Sequence, residues 1–597
     1  MSCLPTPLYH HFWRLALFLL FISQCLYAAD TIQIQIEGVT GEMLDNVRAY
    51  LSLEQQKNHP RLSASRIQNL HNRATAEIQQ ALQPFGYYRV KVTSHLRQLT
   101  TKPSRWQARY LLELGEALKL TTLKVDLDGE ANKDDVFQKL LHHFPIKVGD
   151  VLNHSQYEKA KRSLLQLAEE RGYFDAQLTQ HEIRFDEPAY AAHIILKLDS
   201  NKRYRLGEVK FQNNEEFNES LLQRFLTFKP GDFYTGNALL AFKNALTNSD
   251  YFARVDVEMD RAATTPDLQV PIKVTLEPHK RNRYAFGIGY GTDTGVRGSA
   301  EWKRRYINQY GHQFTTKIEL SEIRQSATAR YHIPIGKTIN DFLTITAGYR
   351  DESTDTSDSK LLLLGIGKHQ LRRLWKRNLE EVIGIEYRDE RYTVGGDSGH
   401  AKLLMPYINW SYVKADNRIY TWRGHKIELS VRGALDNMGS NVSFLQTRLN
   451  TIFIRQLWAK GRVIARSDLG YTAMDLLDGE FSHLPPSIRF FAGGDRSIRG
   501  YDYQAVGPKN PEGQVLGGKN LLVGSLEYEQ KILDKWSLAS FYDIGNAFND
   551  FSEPLKHGAG IGVRWQSPVG LIRVDVAAAL SEKGYPLRLH ITVGPDL

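Results

Sequence analysis

Cysteine is the first residue type to search for chemistry, and this 597-residue chain has two, Cys3 and Cys25. Both fall within a stretch that reads as a secretion signal, so the mature chain expected from it carries no thiol. That excludes a structural disulfide, a thiolate zinc site, an iron–sulfur cluster and a cysteine nucleophile. Phosphate chemistry needs a glycine-rich loop whose backbone N–H groups cradle the anion. Gly336-Lys337-Thr338 has the ending of such a loop, but Tyr331 stands where its first glycine belongs. Gly287-x-Gly289-x-Gly291 lacks dinucleotide spacing, and no helix is expected after it. There is no nucleophile elbow, no H-E-x-x-H pair and no EF-hand loop. The residues predict neither an enzyme nor a cofactor nor a metal.

What remains is charge. The formal net charge is +9. Basic clusters such as Lys303-Arg304-Arg305 and Arg372-Arg373 are broken by strand alternation and carry no binding motif, which argues against a nucleic-acid ligand. One arginine stands out by position. Arg499 lies in Gly493-Gly494-Asp495-Arg496-Ser497-Ile498-Arg499-Gly500-Tyr501, within a connection of more than forty residues between about Ala473 and Lys519. Loops of that length without structure of their own are usually functional. Taken alone, a loop arginine reads as solvated.

The elements that would position these residues change character along the chain. Of the 45 glycines, 35 follow residue 280, as do 17 of the 29 tyrosines, so two halves of different construction are expected. Residues 1–29 have a basic start, an apolar run from Leu15 to Ile22 and a small-residue exit at Ala28-Ala29, a signal-peptide layout too short to span a bilayer comfortably. Beyond residue 30 no stretch approaches the ~18 apolar residues of a membrane helix; the longest patch is Leu361–Ile366.

Residues 31–280 predict three modules with the order strand, helix, helix, strand, strand. The second has a strand over Leu120–Asp128, a helix over Asp134–His143 and a Lys147-Val148-Gly149-Asp150 turn. A helix over Ser155–Arg171 follows, with Ser155 and Glu158 at capping-box spacing, and a strand opens at Tyr173-Phe174. The third repeats this with Lys229-Pro230-Gly231-Asp232, a helix over Asn237–Asn248 and Asp250-Tyr251-Phe252. The first has Phe85-Gly86-Tyr87-Tyr88 at the matching place, but His59-Pro60-Arg61 instead of the turn. A fixed period of about 80 residues marks an array of like domains. An exposed edge strand in each could accept another extended chain.

After residue 281 the period becomes two. Tyr284, Phe286, Ile288 and Tyr290 share one face of a strand, and Ala285, Gly287, Gly289 and Gly291 the other. Sixteen such strands, from about 283–291 to 586–594, predict a closed antiparallel transmembrane barrel with a wet lumen and tyrosine girdles. The glycines weaken the first strand, so its seam with the last strand, at Leu589 and Ile591, is expected to open sideways into lipid. Alternatively, the glycines make room for an inserted loop.

Several of these residues resemble one family. Ile498-Arg499-Gly500-Tyr501 resembles the V/I-R-G-F/Y signature of the outer-membrane assembly-factor superfamily that includes BamA, TamA and the two-partner secretion transporters. Phe541-Tyr542-Asp543-Ile544-Gly545 resembles its F-x-D-x-G strand. Gly524–Tyr528 and Gly560–Trp565, continued through Ser567-Pro568-Val569-Gly570 and Arg573-Val574-Asp575, are similar to neighbouring strands. The repeats resemble its polypeptide-transport-associated (POTRA) domains. Three repeats and the ending Gly594-Pro595-Asp596-Leu597 are most similar to the TamA branch.

The resemblance implies a signal peptide over 1–29, POTRA-like domains over 30–115, 116–201 and 202–280, and a sixteen-stranded barrel over 281–597. It implies an outer-membrane barrel with periplasmic N-terminal domains, serving protein assembly and autotransporter secretion; the alternative is a BamA-like or two-partner-secretion-type transporter, or a passive outer-membrane channel. The implied partners are a TamB-like periplasm-spanning protein, unfolded outer-membrane or autotransporter clients, and outer-membrane lipid. It also implies that the long loop folds into the lumen and that Arg499 pairs with Asp543 on the barrel wall, with Glu527 as a second carboxylate. A guanidinium confined there favours a bidentate carboxylate partner. On that basis, Arg499→Asp should impair activity and adding Asp543→Arg should partly restore it.

Overall fold

A computed structural model describes residues 30–101, 104–374, 377–474, 479–567, 570–594 and 596. The expected signal at 1–29, with Cys3 and Cys25, lies outside the described residues, as do Pro568, Val569, Pro595 and Leu597 of the quoted motifs. The chain forms two compact units. One comprises residues up to 208 with 228–240 and 259–272, the other 209–227, 241–258 and 273–597.

Each N-terminal module contains a three-stranded sheet in which the last strand lies in the middle. In the first, Thr31–Glu37 runs parallel to Ser104–Glu113, which pairs antiparallel with Lys91–Thr101. In the second, Lys119–Asp128 and Gln177–Asp186 flank Ala191–Asp199 in the same way. The third has Arg205–Gln212, Phe252–Met259 and Gln269–Pro278 in the same order. Helices cover the sheets with apolar faces at helical spacing. Ala64–Leu82 buries Ile67, Leu70, Ala74, Ile78 and Ala81.

The expected turn recurs with the same hydrogen bonds in the second and third modules. The Asp150 carboxylate accepts the Lys147 N–H and the Asp232 carboxylate the Lys229 N–H, each at 2.8 Å. Gly149 and Gly231, at φ 96° and 92°, donate to Leu120 and Leu206 of the first strands at 2.7 Å. Those angles are why glycine occupies both positions.

Three local expectations are corrected. The second module's long helix is His154–Arg171, and Asn153 rather than Ser155 caps it, its side chain accepting the Gln156 N–H at 3.1 Å. Asn153 has the extended backbone a cap requires, whereas Ser155 is already helical. Tyr173 and Tyr251 do not begin strands; they are buried, and the strands start at Gln177 and Phe252. The first module has three helices, Gly41–Tyr50, Ser52–Gln56 and Ala64–Leu82, so His59-Pro60-Arg61 joins helices instead of forming the turn.

From Asn282–Gly291 to Leu587–Gly594, sixteen strands among the described residues form a closed antiparallel barrel. The alternating apolar residues face outward; Phe286 and Ile288 are 82% and 92% exposed. No helix among the described residues is long and apolar enough to cross a membrane; the strands provide the span. Strands Ser357–Leu374, Arg377–Val394 and Asp397–Ala415 run to 18, 18 and 19 residues, past the alternating stretch that marks each of them in the sequence. Alternation marks only the lipid-facing stretch, while ladder pairing continues past it through polar residues.

The basic cluster at 303–305 has a structural task within the second unit. Lys303 and Arg305 hold Asp250 of the third module at 3.0 and 2.8 Å. Arg224 donates to the carbonyls of Thr338 and Asp341 at 2.8 Å each, and to that of Ile335. The Tyr251 hydroxyl donates to the Gly311 carbonyl at 2.6 Å. Arg224, Asp250 and Tyr251 are thus tied to two barrel turns, 305–312 and 335–341, all within the second unit.

Candidate functional site

The connection between strands Gly461–Ala473 and Asn520–Leu533 folds back into the barrel. Ile498, Arg499 and Tyr501 are buried, Ile498 and Tyr501 in a cluster with Phe490, Ala492, Val506, Leu521, Val523, Ala547 and Ala579. Gly500 stands at φ 99°, and a Cβ there would lie 2.8 Å from the backbone of Ala578. No other residue permits both that angle and that approach.

Arg499 meets Asp543 as a fork. Its Nε and Nη2 donate to the two carboxylate oxygens at 2.8 and 2.9 Å, and its backbone N–H adds a third bond at 3.1 Å. Nη1 donates to Glu527 at 2.8 Å and to Asp575 at 3.3 Å. The guanidinium carbon lies 3.3 Å from the Phe541 ring centroid. Ser525, opposite Asp543 in the ladder, donates its hydroxyl to that carboxylate at 2.6 Å. Burying a guanidinium costs several kcal/mol unless its donors are satisfied, and here they are.

The site extends beyond the expected residues. Arg564 bridges Glu527 at 2.7 Å and Asp575 at 2.5 Å, and Arg466 reaches Glu527 at 3.1 Å. Arg462 joins Glu529 and Asp596 at 2.6 Å each, and Arg573 joins Asp596 at 2.7 Å. Five arginines face five carboxylates, so the formal charges cancel. Arg564 and Asp575 stood in the family motif without a role. Their signal was their inward phase on alternating strands, but only the ladder register shows which charges meet.

Glycines make the room. Gly558, Gly560 and Gly562 form a bare strip on strand Lys556–Ser567. A Cβ at Gly558 would lie 2.1 Å from the Arg499 carbonyl oxygen, and one at Gly562 would strike the Asp575 carboxylate. The first strand's glycines do something else. Gly287 lies under Ser299 and Gly289 under Arg297, both on the neighbouring strand; only Gly291 approaches the loop, at Asp495.

The seam is thin. The first strand pairs with the second through ten register partners, Asn282 to Gly291, but with the last strand only through Gly291 and Thr592. Tyr284, Leu587 and Leu589 are exposed on the outer face, and Ile591 is half-buried.

Loop residues meet this seam at its Gly291 end. The Thr292 hydroxyl donates to Asp495 at 2.8 Å, and Asp293 accepts the Asp495 N–H at 2.6 Å. His590, buried on the last strand, lies 2.6 Å from Asp495 through Nδ1 and accepts the Gly500 N–H at Nε2, 2.9 Å away. Burial and the Asp495 carboxylate push Asp293 up to about 6. Asp293, Asp495 and His590 offer a possible cation-ligand set, their ligand atoms within 4.8 Å of one another. The Gly500 N–H decides against that chemistry. An imidazole that accepts at Nε2 carries its proton on Nδ1, where a cation would bind, and donates it to Asp495.

A sixteen-stranded barrel with an inserted loop and N-terminal repeats defines an outer-membrane barrel protein with POTRA-type domains. Comparison with known proteins agrees. The Omp85 superfamily domain matches residues 238–594, more than half the chain; the POTRA domain described as TamA domain 1 matches 33–114, and the surface antigen variable number repeat, a POTRA family, matches 123–200. The chain belongs to the Omp85 superfamily, an outer-membrane protein whose N-terminal domains sit in the periplasm.

Among curated relatives, the outer membrane protein assembly factor BamA of Nitratidesulfovibrio vulgaris is 22% identical over 495 residues, 77% of this chain and 59% of the relative. BamA of Neorickettsia risticii is 21% identical over 480 residues, 76% and 62% of the two chains. The chain thus spans about three-fifths of the length of the curated relatives it matches. The crystal structure of BamA from Haemophilus ducreyi lacking POTRA domains 1–3 shares the fold, with a TM-score of 0.65 at 18% identity, covering 80% of this chain and 99% of that one.

Proposed function

We propose that this chain assembles proteins into the outer membrane, receiving extended clients at the edges of its periplasmic sheets and inserting them at the barrel seam. The observation that carries the reading is the single register pair between first and last strands, against ten on the first strand's other side. Backbone N–H and C=O groups without partners are costly in lipid, and an added client strand would supply them. Outer strands such as Lys91–Thr101 and Gln177–Asp186, paired on one side only, favour the same mode of recognition. No covalent step is part of this function; binding energy lowers the insertion barrier. A passive channel fits less well, because the loop occupies the lumen.

The test is a disulfide between Gly291→Cys and Thr592→Cys. With the chain in lipid vesicles, the oxidised form should not fold a urea-unfolded outer-membrane client to protease resistance, and reductant should restore folding. Undiminished folding by the oxidised chain refutes the reading.

Within this function, a TamA-like role in autotransporter secretion with a TamB-like partner is supported by the three modules and by the match of residues 33–114 to TamA domain 1. A BamA-like role is supported by the names of the curated relatives. Affinity purification of the full chain from native envelopes separates them. Recovery of a large periplasm-spanning protein favours the first; its absence, with general loss of outer-membrane barrels on depletion, favours the second.

A further inference from the structure

The seam has almost no ladder of its own, yet the barrel is closed. Strand pairing supplies one residue pair, Gly291 with Thr592; beyond it the two edges share long bonds, from the Thr292 N–H to the Ile591 carbonyl and from Arg297 to the Val593 carbonyl, each at 3.3 Å, and the loop supplies shorter contacts. The lumenal loop touches both edges. On the first hairpin, the Thr292 hydroxyl donates to Asp495, and Asp293 accepts the Asp495 N–H. On the last strand, His590 donates to the same Asp495 oxygen at 2.6 Å and accepts from Gly500, and Arg588 pairs with Asp502 of the loop. The Thr292 hydroxyl also accepts the Ile591 N–H at 3.1 Å, which completes the bridge. Gly494, at φ 104°, leaves space for the Asp293 carboxylate, which a Cβ there would approach to 2.5 Å.

We infer that Asp495 is a latch: one loop carboxylate that clasps Thr292 of the first hairpin and His590 of the last strand, so that the loop, not strand pairing, keeps the seam shut. Two features make this a positioning role distinct from the Arg499 anchor. Asp495 shares no partner with Arg499, whose carboxylates are Asp543, Glu527 and Asp575. The latch groups also lie at the end of the seam, where the loop can release one edge while Ile498, Arg499 and Tyr501 remain seated. The His590 tautomer gives the clasp a direction. With Nε2 committed to Gly500, only Nδ1–H is left to donate, and Asp495 alone receives it.

This latch deepens the seam reading above, but its test reads distance instead of client folding, so the two can fail separately. Spin labels at Ile288→Cys and Leu589→Cys, both outward-facing, report the separation of the first and last strands in the full chain in nanodiscs. Asp495→Asn should raise the fraction of long distances at least threefold, and Thr292→Val, which removes one arm together with the direct bond from the Ile591 N–H, should raise it as well. Gln504→Ala, elsewhere on the loop and bonded to Thr356, should leave the distribution unchanged. Thiol labelling of Ala492→Cys, a loop position in the same buried cluster as Ile498 and Tyr501, should change less than twofold in Asp495→Asn.

Heat-modifiable migration confirms that each variant is a folded barrel; if Asp495→Asn fails that check, Asp495→Ser decides. An unchanged distribution in the deciding variant, or equal widening in Gln504→Ala, overturns the latch. So does loss of Ala492 protection in Asp495→Asn, because seam and anchor would then be one device.

Discussion

Arg499 is bound to three carboxylates at once, and this changes what a charge swap with Asp543 can show. Reversal to Arg499→Asp takes away the guanidinium that Asp543, Glu527 and Asp575 share and adds a fourth carboxylate, on a shorter side chain, to the same group. Adding Asp543→Arg removes one repulsion but leaves two. At about 4 Å and an effective dielectric near 20, each like-charge contact costs about 4 kcal/mol. The swapped pair should therefore stay nearly as defective as the single reversal, and the restoration expected from a simple pair should not occur.

Neutral substitutions isolate the pair. Arg499→Gln leaves Asp543 buried without its fork, and Asp543→Asn leaves the guanidinium one carboxylate short while still able to accept the Arg499 N–H. Removing one partner of a buried ion pair costs about 3–5 kcal/mol. At 1.4 kcal/mol per factor of ten, Arg499→Gln should shift loop docking about a hundredfold to a few thousandfold. The readout is the labelling rate of Ala492→Cys, 1% exposed in the cluster around Ile498, in a chain with Cys3 and Cys25 replaced by serine. The double variant should lose less than the sum of the singles, with a coupling of roughly 1–3 kcal/mol. A change below threefold in Arg499→Gln, or strict additivity, would falsify the shared anchor.

Two further outcomes follow from the same geometry. Arg224→Ala removes charge-assisted hydrogen bonds to the carbonyls of Ile335, Thr338 and Asp341, each worth roughly 1.5–3 kcal/mol, so amide exchange across 335–341 should quicken at least tenfold; an unchanged rate refutes its anchoring role. Asp293 titrates near 6 instead of 3.8, held up by burial and by Asp495, with His590 and Arg588 opposing and Tyr503 nearby. A raised carboxyl takes up its proton in the latched state, so latching is strengthened as pH falls through 6 and loses that support as pH rises. The Ile288–Leu589 distance distribution should narrow from pH 7.5 to pH 5.5, and Asp293→Asn should abolish the narrowing. A distribution that does not respond to pH in the unsubstituted latch refutes this coupling.

The barrel was legible because its physics is local: lipid on one face and lumen on the other impose a period of two on every strand. The modules were legible because the turn closed by Asp150 recurs at Asp232 with the same bonds. The cap was misjudged by two residues, since Asn153 and Ser155 are both good caps and only the backbone angle at Asn153 decides between them. The charge network was legible in parts. Arg499, Asp543 and Glu527 stood in recognisable motifs, whereas Arg466 and Arg564 reach Glu527 from strands 61 and 37 residues away. Latch residues carry no local signal at all. Thr292 is an ordinary turn residue, and Asp495 lies 203 residues from it and 95 from His590.

Two attachments on one loop resolve a mechanical difficulty in the proposed function. If the loop were held only by Arg499, opening the seam would either leave it untouched or pull the loop out, and expelling a guanidinium from three carboxylates is costly. With Asp495 as a separate clasp, the edge contacts to be broken are a few hydrogen bonds and the Arg588–Asp502 pair, while the balanced charges deeper in the wall keep their partners. The broken groups also lie beside turn 292–294 and near lumenal space, where water can solvate them. Opening then costs far less than emptying the lumen, and an arriving client strand could offset that cost by pairing with the free backbone of Asn282–Tyr290.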